Sequence, residues 1–116
     1  LLRQGAVCYG LGLGALYGLG ATPGALAAGT VFVAHTLAIW WINRFWKISI
    51  HAAGVGGAIC ILLASVGQGA WPSVLCLPAI AWARLYLGAH TPWQVGAGAA
   101  LGLGFSAAIY RAFGLI

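Results

Sequence analysis

Long apolar runs separated by short polar breaks form the pattern of this chain. No Lys, Arg, Asp or Glu occurs from Gln4 to Asn43 or from Ile48 to Ala83. Turn-forming residues interrupt the first run at Ala21-Thr22-Pro23-Gly24, and a second glycine- and proline-containing turn follows at residues 67–72. The pattern therefore predicts five helices, over about residues 5–21, 24–42, 49–66, 72–87 and 92–113.

Glycines recur every four residues in the first and the last of these helices. They are Gly10, Gly14 and Gly18 near the start of the chain, and Gly98 and Gly102 near its end. Small residues at this spacing allow helix backbones to approach each other closely within lipid. We therefore expect both glycine repeats to serve helix packing.

The composition indicates an integral membrane protein. Hydrophobic residues make up 63% of the 116 residues and charged residues only 4%, which leaves too little polar surface for a soluble fold. The length allows one domain, residues 1–116. We expect an all-α, polytopic transmembrane helical bundle of about five spans, in the bacterial cytoplasmic membrane or a membrane derived from it. Its expected partners are membrane lipids. Nucleic acid is not an expected partner, because five basic side chains are too few to form a binding surface for it.

An odd number of crossings would gather the polar residues at one membrane face. With five spans, the 43–48 loop and the 88–91 loop lie on the same side. These loops and the adjacent helix ends carry Arg44, Lys47, Ser49, His51, Arg84, His90 and Gln94. Thr91 is a predicted N-cap, and the unpaired N–H groups of a helix start attract anions. The sequence therefore predicts a phosphate site at a membrane surface.

Two motifs support that prediction. Ala83-Arg84 is followed after five residues by His90 and after three more by Gln94. Ser49 and His51 come earlier in the chain, with 31 residues between His51 and Ala83. These motifs resemble the third and second motifs of the type-2 phosphatidic acid phosphatase superfamily, the lipid phosphate phosphatases related to vanadium haloperoxidases. The first motif of that family has no match here. The family has six spans, so the resemblance implies a helix missing at the N-terminus.

The resemblance implies a reaction and a role for each site residue. His90 would be the nucleophile that forms a phosphohistidine, and His51 the acid that protonates the leaving oxygen. Arg84 and Ser49 would hold the phosphoryl oxygens, and Arg44 and Lys47 are candidates for the charges of the missing first motif. The expected substrate is an isoprenoid or glycerolipid phosphate or diphosphate, and the site would need no metal and no cofactor.

Gln94 departs from the family pattern, in which an Asp accepts the N–H of the nucleophilic histidine. In the serine-protease triad, replacing the equivalent Asp by Asn lowers kcat about ten-thousand-fold. Gln94 has two interpretations: it orients His90, or it closes a capping box with Thr91. The departure leaves an alternative function open, a catalytically inactive subunit packed within a larger membrane complex, a pigment–protein complex included. A transporter or channel fits less well, because no helix is visibly broken in mid-membrane. His35 is predicted to pack between helices, with pigment or haem ligation as the alternative.

Overall fold

A computed structural model describes all residues from Leu1 to Ile116, and the fold is all-α. Five α-helices and one 3-10 helix follow each other along the chain. They are α1 (Leu2–Gly18), α2 (Pro23–Ile42), α3 (Ile50–Val66), the 3-10 helix (Gly67–Leu75), α4 (Cys76–Tyr86) and α5 (Pro92–Ala112). The main difference from the prediction is the 3-10 helix, which contains Pro72 and takes the residues expected to begin the fourth helix.

Three helix starts are fixed by local side-chain caps. The hydroxyl oxygens of Thr22, Ser49 and Thr91 accept hydrogen bonds from the backbone N–H groups three residues further on, at 3.4, 3.3 and 3.3 Å. Pro23 and Pro92 occupy the first helical positions, where a missing N–H costs nothing. The starts predicted for α3 and α5 are therefore confirmed.

Helices α3 and α5 form the tightly packed centre of the bundle. A Cβ atom added to Gly98 would collide with the carbonyl oxygen of Ser49, and one added to Gly102 with that of Ala53. Both contact points advance by four residues in the same chain direction, so α3 and α5 are parallel. Their N-termini consequently lie at the same end of the molecule.

Helix α2 runs antiparallel to this pair and covers it. Its buried residues Ala27, Val31 and Ile39 pack into two small apolar clusters with residues of α3 and α5. At the far end, the hydroxyl of Tyr110 donates a hydrogen bond to the Gly24 carbonyl at 3.4 Å. Helix α1 packs mainly against α2 and has no fully buried residue.

Three helical segments are long and apolar enough to cross a membrane. They are Pro23–Ile42, Ile50–Tyr86 and Pro92–Ala112. The structure thus supports an all-α membrane fold but not the five spans expected from the sequence. Helix α1 has 17 residues and α4 has 11, which give about 26 and 17 Å against a hydrocarbon core of about 30 Å.

The segment Ile50–Tyr86 folds back on itself. A straight helix of its 37 residues would be about 55 Å long. However, His51 near its start and Arg84 near its end line the same cavity. The reversal begins at Gly67, whose φ of 77° lies in the region that favours glycine. The reversal brings Arg84 back to the end of the bundle where α3 and α5 begin.

Candidate anion-binding site

A cavity of about 360 Å³ lies at the end of the bundle where α3 and α5 begin. It brings together four of the predicted site residues, Lys47, His51, Arg84 and His90, and is completed by Asn43, Ile48 and Ile50. Four of the seven predicted residues therefore converge, whereas Arg44, Ser49 and Gln94 do not line the cavity. That all seven share one membrane face stays a prediction. Because the chain contains no Asp or Glu, no side-chain carboxylate neutralises the cations of this cavity. We refer to it below as the anion cavity.

Three hydrogen bonds order the loops of the site, and two of them join one loop to the other. The Nζ atom of Lys47 donates to the Ala89 carbonyl at 2.9 Å. The backbone N–H of Ser49 donates to the backbone carbonyl of Gln94 at 3.2 Å. This bond joins the starts of α3 and α5. Within the first loop, the Oδ1 atom of Asn43 accepts from the Ile48 N–H at 2.9 Å. The loop that carries His90 is thereby fixed against the loop that carries Lys47.

Two nitrogen atoms at the cavity are buried without a hydrogen-bond partner: Nε of Arg84 and Nδ1 of His90. Such groups are rare, because a buried polar atom without a partner costs about 1–3 kcal/mol, and more when it is charged. The Arg84 guanidinium carries a positive charge and only hydrogen-bond donors. An anion with several acceptor oxygens is the ligand that would satisfy it.

The surroundings of His90 favour the neutral form of its imidazole. Burial is the main cause that lowers the pKa of His90 below its ordinary value of 6.5, and the polar side chain of Gln94 opposes it. The positive charges of Lys47 and Arg84, and the nearby His51, lower the pKa further. A neutral imidazole near pH 7 has a free electron pair, as a nucleophile requires.

Gln94 forms the predicted capping box. The side-chain Oε1 atom of Gln94 accepts a hydrogen bond from the backbone N–H of Thr91 at 3.0 Å. The backbone N–H of Gln94 donates to the Thr91 hydroxyl at 3.3 Å. The first interpretation of Gln94, as an orienting partner for His90, stays a prediction. An amide oxygen can accept a second hydrogen bond, and Gln94 is close enough to influence the pKa of His90.

Two other predicted phosphate ligands do not line the cavity. The Ser49 side chain is fully buried and caps α3 by accepting from the Ala52 N–H. The Arg44 guanidinium lies 4.7 Å from the centre of the Trp40 ring, as in a cation–π contact, and its residue is exposed.

Asn43 is the polar cavity residue that the sequence analysis missed. A signal was present, because Asn side chains commonly hydrogen-bond the backbone of the loop that they begin. It also belongs to the most polar loop of the chain, residues 43–47. No group of three or more His or Cys side chains is placed to hold a metal ion.

No protein-family model, curated protein or solved structure matches this chain. Membership of the phosphatase superfamily therefore stays a prediction from the two motifs. The function is inferred below from the residues, charges and hydrogen bonds of the anion cavity.

Proposed function

We propose that this protein is a membrane lipid phosphatase-like enzyme that hydrolyses an isoprenoid or glycerolipid phosphate or diphosphate. The observation that carries the proposal is the buried Nε atom of Arg84, a donor without a hydrogen-bond partner. It belongs to a cavity that also contains Lys47, His51 and His90. A phosphoryl group supplies the negative charge and the acceptor oxygens that such a site lacks.

The four basic residues of the cavity each have a role in the proposed reaction. Neutral His90 attacks the phosphorus atom, and the bond between phosphorus and the leaving oxygen breaks. His51 donates a proton to that oxygen, then accepts one from the water that attacks the phosphohistidine. The bond between phosphorus and the His90 nitrogen breaks in this second step, which releases inorganic phosphate and restores neutral His90. Arg84 and Lys47 stabilise the negative charge of the transition state. The starts of α3 and α5 lie at the same end, and their dipoles add partial positive charge.

The position of the cavity favours a lipid-borne phosphate. It lies at one end of the apolar helical segments, where a headgroup would be found. Trp41, Trp46 and Trp93 are exposed around this end, and tryptophan is enriched at membrane–water interfaces. In this proposal α1 is a first crossing, and the 3-10 helix and α4 together return the chain, so that five crossings are made. The membrane is the bacterial cytoplasmic membrane or one derived from it.

The test is phosphate release by the purified protein in nanodiscs from polyprenyl diphosphate, phosphatidate and phosphatidylglycerol phosphate. We expect His90→Ala to abolish release and Arg84→Gln to lower kcat/KM about 100-fold, because it removes a fixed transition-state charge. Arg111→Gln is the matched control: Arg111 is an exposed cation near the opposite end of α5, and its loss should change nothing. No release from any substrate, or undiminished release by His90→Ala, would overturn the proposal.

One observation favours a second candidate, a catalytically inactive subunit packed within a larger membrane complex, pigment–protein complexes included. The Gln94 oxygen is engaged in the capping box, and Nδ1 of His90 has no acceptor. The nucleophile would then lack the partner that fixes its tautomer. Inorganic phosphate or vanadate binding that depends on Arg84, without turnover, together with co-purification of a stoichiometric membrane partner, is the result expected for this candidate.

A further inference from the structure

A second cavity, of about 190 Å³, lies between the apolar parts of α2 and α3, and it is open to the outside of the bundle at Phe32, Ile50 and Gly54. It includes Ile50, Gly54, Gly57 and Ile61 on α3, with Phe32 and His35 on the facing helix. Ile50 also lines the anion cavity, so the two cavities meet at this side chain. We call the second cavity the intramembrane groove.

The groove leads away from the anion cavity along α3. From Ile50 to Ile61 it extends over eleven residues, or about 17 Å of helix. Because α2 is antiparallel to α3, the opposite wall runs from Ile39 near the anion cavity to Val31 at the far end. A lipid held by its phosphate in the anion cavity could therefore lay a hydrocarbon chain along this open groove.

Glycines give the groove its width. A Cβ atom on Gly54 would meet nothing within 4 Å, so the missing side chain leaves open space there. Further along, Gly57 has no such space, because its Cβ would lie 2.6 Å from Cε1 of His35. The groove is thus open where it leaves the anion cavity and narrow at the level of His35.

The only histidine of the groove does not make it a polar site. The Nε2 atom of His35 lies 3.5 Å from the Ser106 hydroxyl, and Ser106 is not a lining residue of the groove. His35 is 7% exposed and packs its ring against Gly57. This placement matches the helix-packing role expected for His35. The remaining walls are largely aliphatic and aromatic, with Phe32 stacked on Tyr9 of α1 at 5.5 Å.

We propose that the intramembrane groove holds one hydrocarbon chain of the lipid whose phosphate occupies the anion cavity. The inference rests on the proposed phosphate site and adds the subsite that positions the lipid. The small volume and the narrowing at Gly57 fit a single chain, so the second chain of a glycerolipid would stay in the bilayer. Since lipid is as apolar as the groove, the groove contributes little hydrophobic affinity. It acts by orienting the phosphate towards His90.

The test compares two glycine-to-leucine variants. Gly54→Leu fills the groove, whereas Gly104→Leu fills a separate apolar cavity between α2 and α5 that shares no residue with the anion cavity. Both glycines have open space around an added Cβ, so both variants should fold, as thermal unfolding will verify. The probe is a single-chain prenyl phosphate with a diazirine in its chain, cross-linked in nanodiscs and mapped by mass spectrometry.

We expect cross-links to Val31, which is buried, and to Ile61. Gly54→Leu should reduce them at least about tenfold, because a pocket filled by extra methylene groups rejects its ligand. Gly104→Leu should leave the cross-links unchanged. Cross-links at Phe105 or spread over the outer helix faces, or an undiminished signal in Gly54→Leu, would overturn the groove assignment. Cross-linking needs no turnover and is repeated in His90→Ala. In the unmodified chain, groove cross-links without hydrolysis would refute the proposed enzyme activity alone. Hydrolysis without groove cross-links would refute the groove assignment alone.

Discussion

The glycine repeats of α1 and α5 have the same spacing but opposite surroundings. In α5, Gly98 and Gly102 are buried, and each brings its backbone against a carbonyl of α3. In α1, Gly10, Gly14 and Gly18 are exposed, and an added Cβ atom on any of them meets nothing within 4 Å. The packing predicted for both repeats is thus confirmed in α5 and wrong, within this chain, in α1.

The difference shows that a small-residue repeat defines a helix face but not its partner. The face of α5 is used because α3 runs parallel to it at a constant offset, with Ser49 opposite Gly98 and Ala53 opposite Gly102. That contact also has a functional consequence. It fixes the two helix starts side by side, and the anion cavity lies at this end of the bundle. Helix α1 has no comparable contact and contributes no residue to the anion cavity.

The largest expected effect comes from adding a methyl group to the glycine repeat of α5, compared with the same change in the repeat of α1. Gly102→Ala should lower the free energy of unfolding by about 3 kcal/mol, because a methyl group forced against backbone cannot be accommodated by a side-chain rotation. Gly14→Ala, the matched control, should change it by less than about 1 kcal/mol. Thermal unfolding in detergent measures both. Equal effects would show that the α3–α5 contact is no tighter than the surface of α1.

The same substitution tests the link between packing and site. Separating α3 from α5 should displace the start of α3 relative to that of α5, so that Gly102→Ala also weakens phosphate binding. Gly14→Ala should bind phosphate as the unmodified chain does. Isothermal titration with inorganic phosphate or vanadate measures this effect. Unchanged binding by a destabilised Gly102→Ala variant would mean that the cavity does not depend on the helix contact.

Local chemistry explains which features could be predicted from the sequence. The starts of α3 and α5 follow from the caps Ser49 and Thr91, which act within three residues. The gathering of His51, Arg84 and His90 follows from the number of chain reversals between them. Both inferences need only neighbouring residues or a count of turns.

Features that depend on distant contacts could not be predicted in this way. The 3-10 helix at Gly67–Leu75 packs along α3, and nothing in its own sequence distinguishes it from a simple turn followed by a longer α4. The cation–π position of Arg44 over Trp40 requires the geometry of the end of α2. The intramembrane groove depends on which face of α2 meets Gly54 and Gly57.

A smaller effect is expected at the capped helix starts. Thr91→Ala should cost about 1 kcal/mol of stability, the usual value for an N-cap, and should also weaken phosphate binding because it loosens the loop that holds His90. Thr22→Ala is the matched control, since the Thr22 hydroxyl also caps a helix start, that of α2, and does not line the anion cavity. Unfolding and phosphate titration of both variants provide the measurement. Equal losses of phosphate affinity would contradict a specific role for the α5 cap.

The smallest effect is a shift in pH dependence, and it separates the two cations of the 43–48 loop. Lys47 lowers the pKa of His90, so Lys47→Met should raise that pKa. The proposed reaction needs neutral His90. The fall in activity on acidification should therefore occur at a higher pH in Lys47→Met than in the unmodified chain. Arg44→Met is the control, because Arg44 is exposed over Trp40 and does not line the cavity. The acid limb of kcat/KM, or an NMR titration of the His90 ring, measures the shift. A shift to lower pH in Lys47→Met, or equal shifts in both variants, would mean that the charge of Lys47 does not act on His90 across the joined loops.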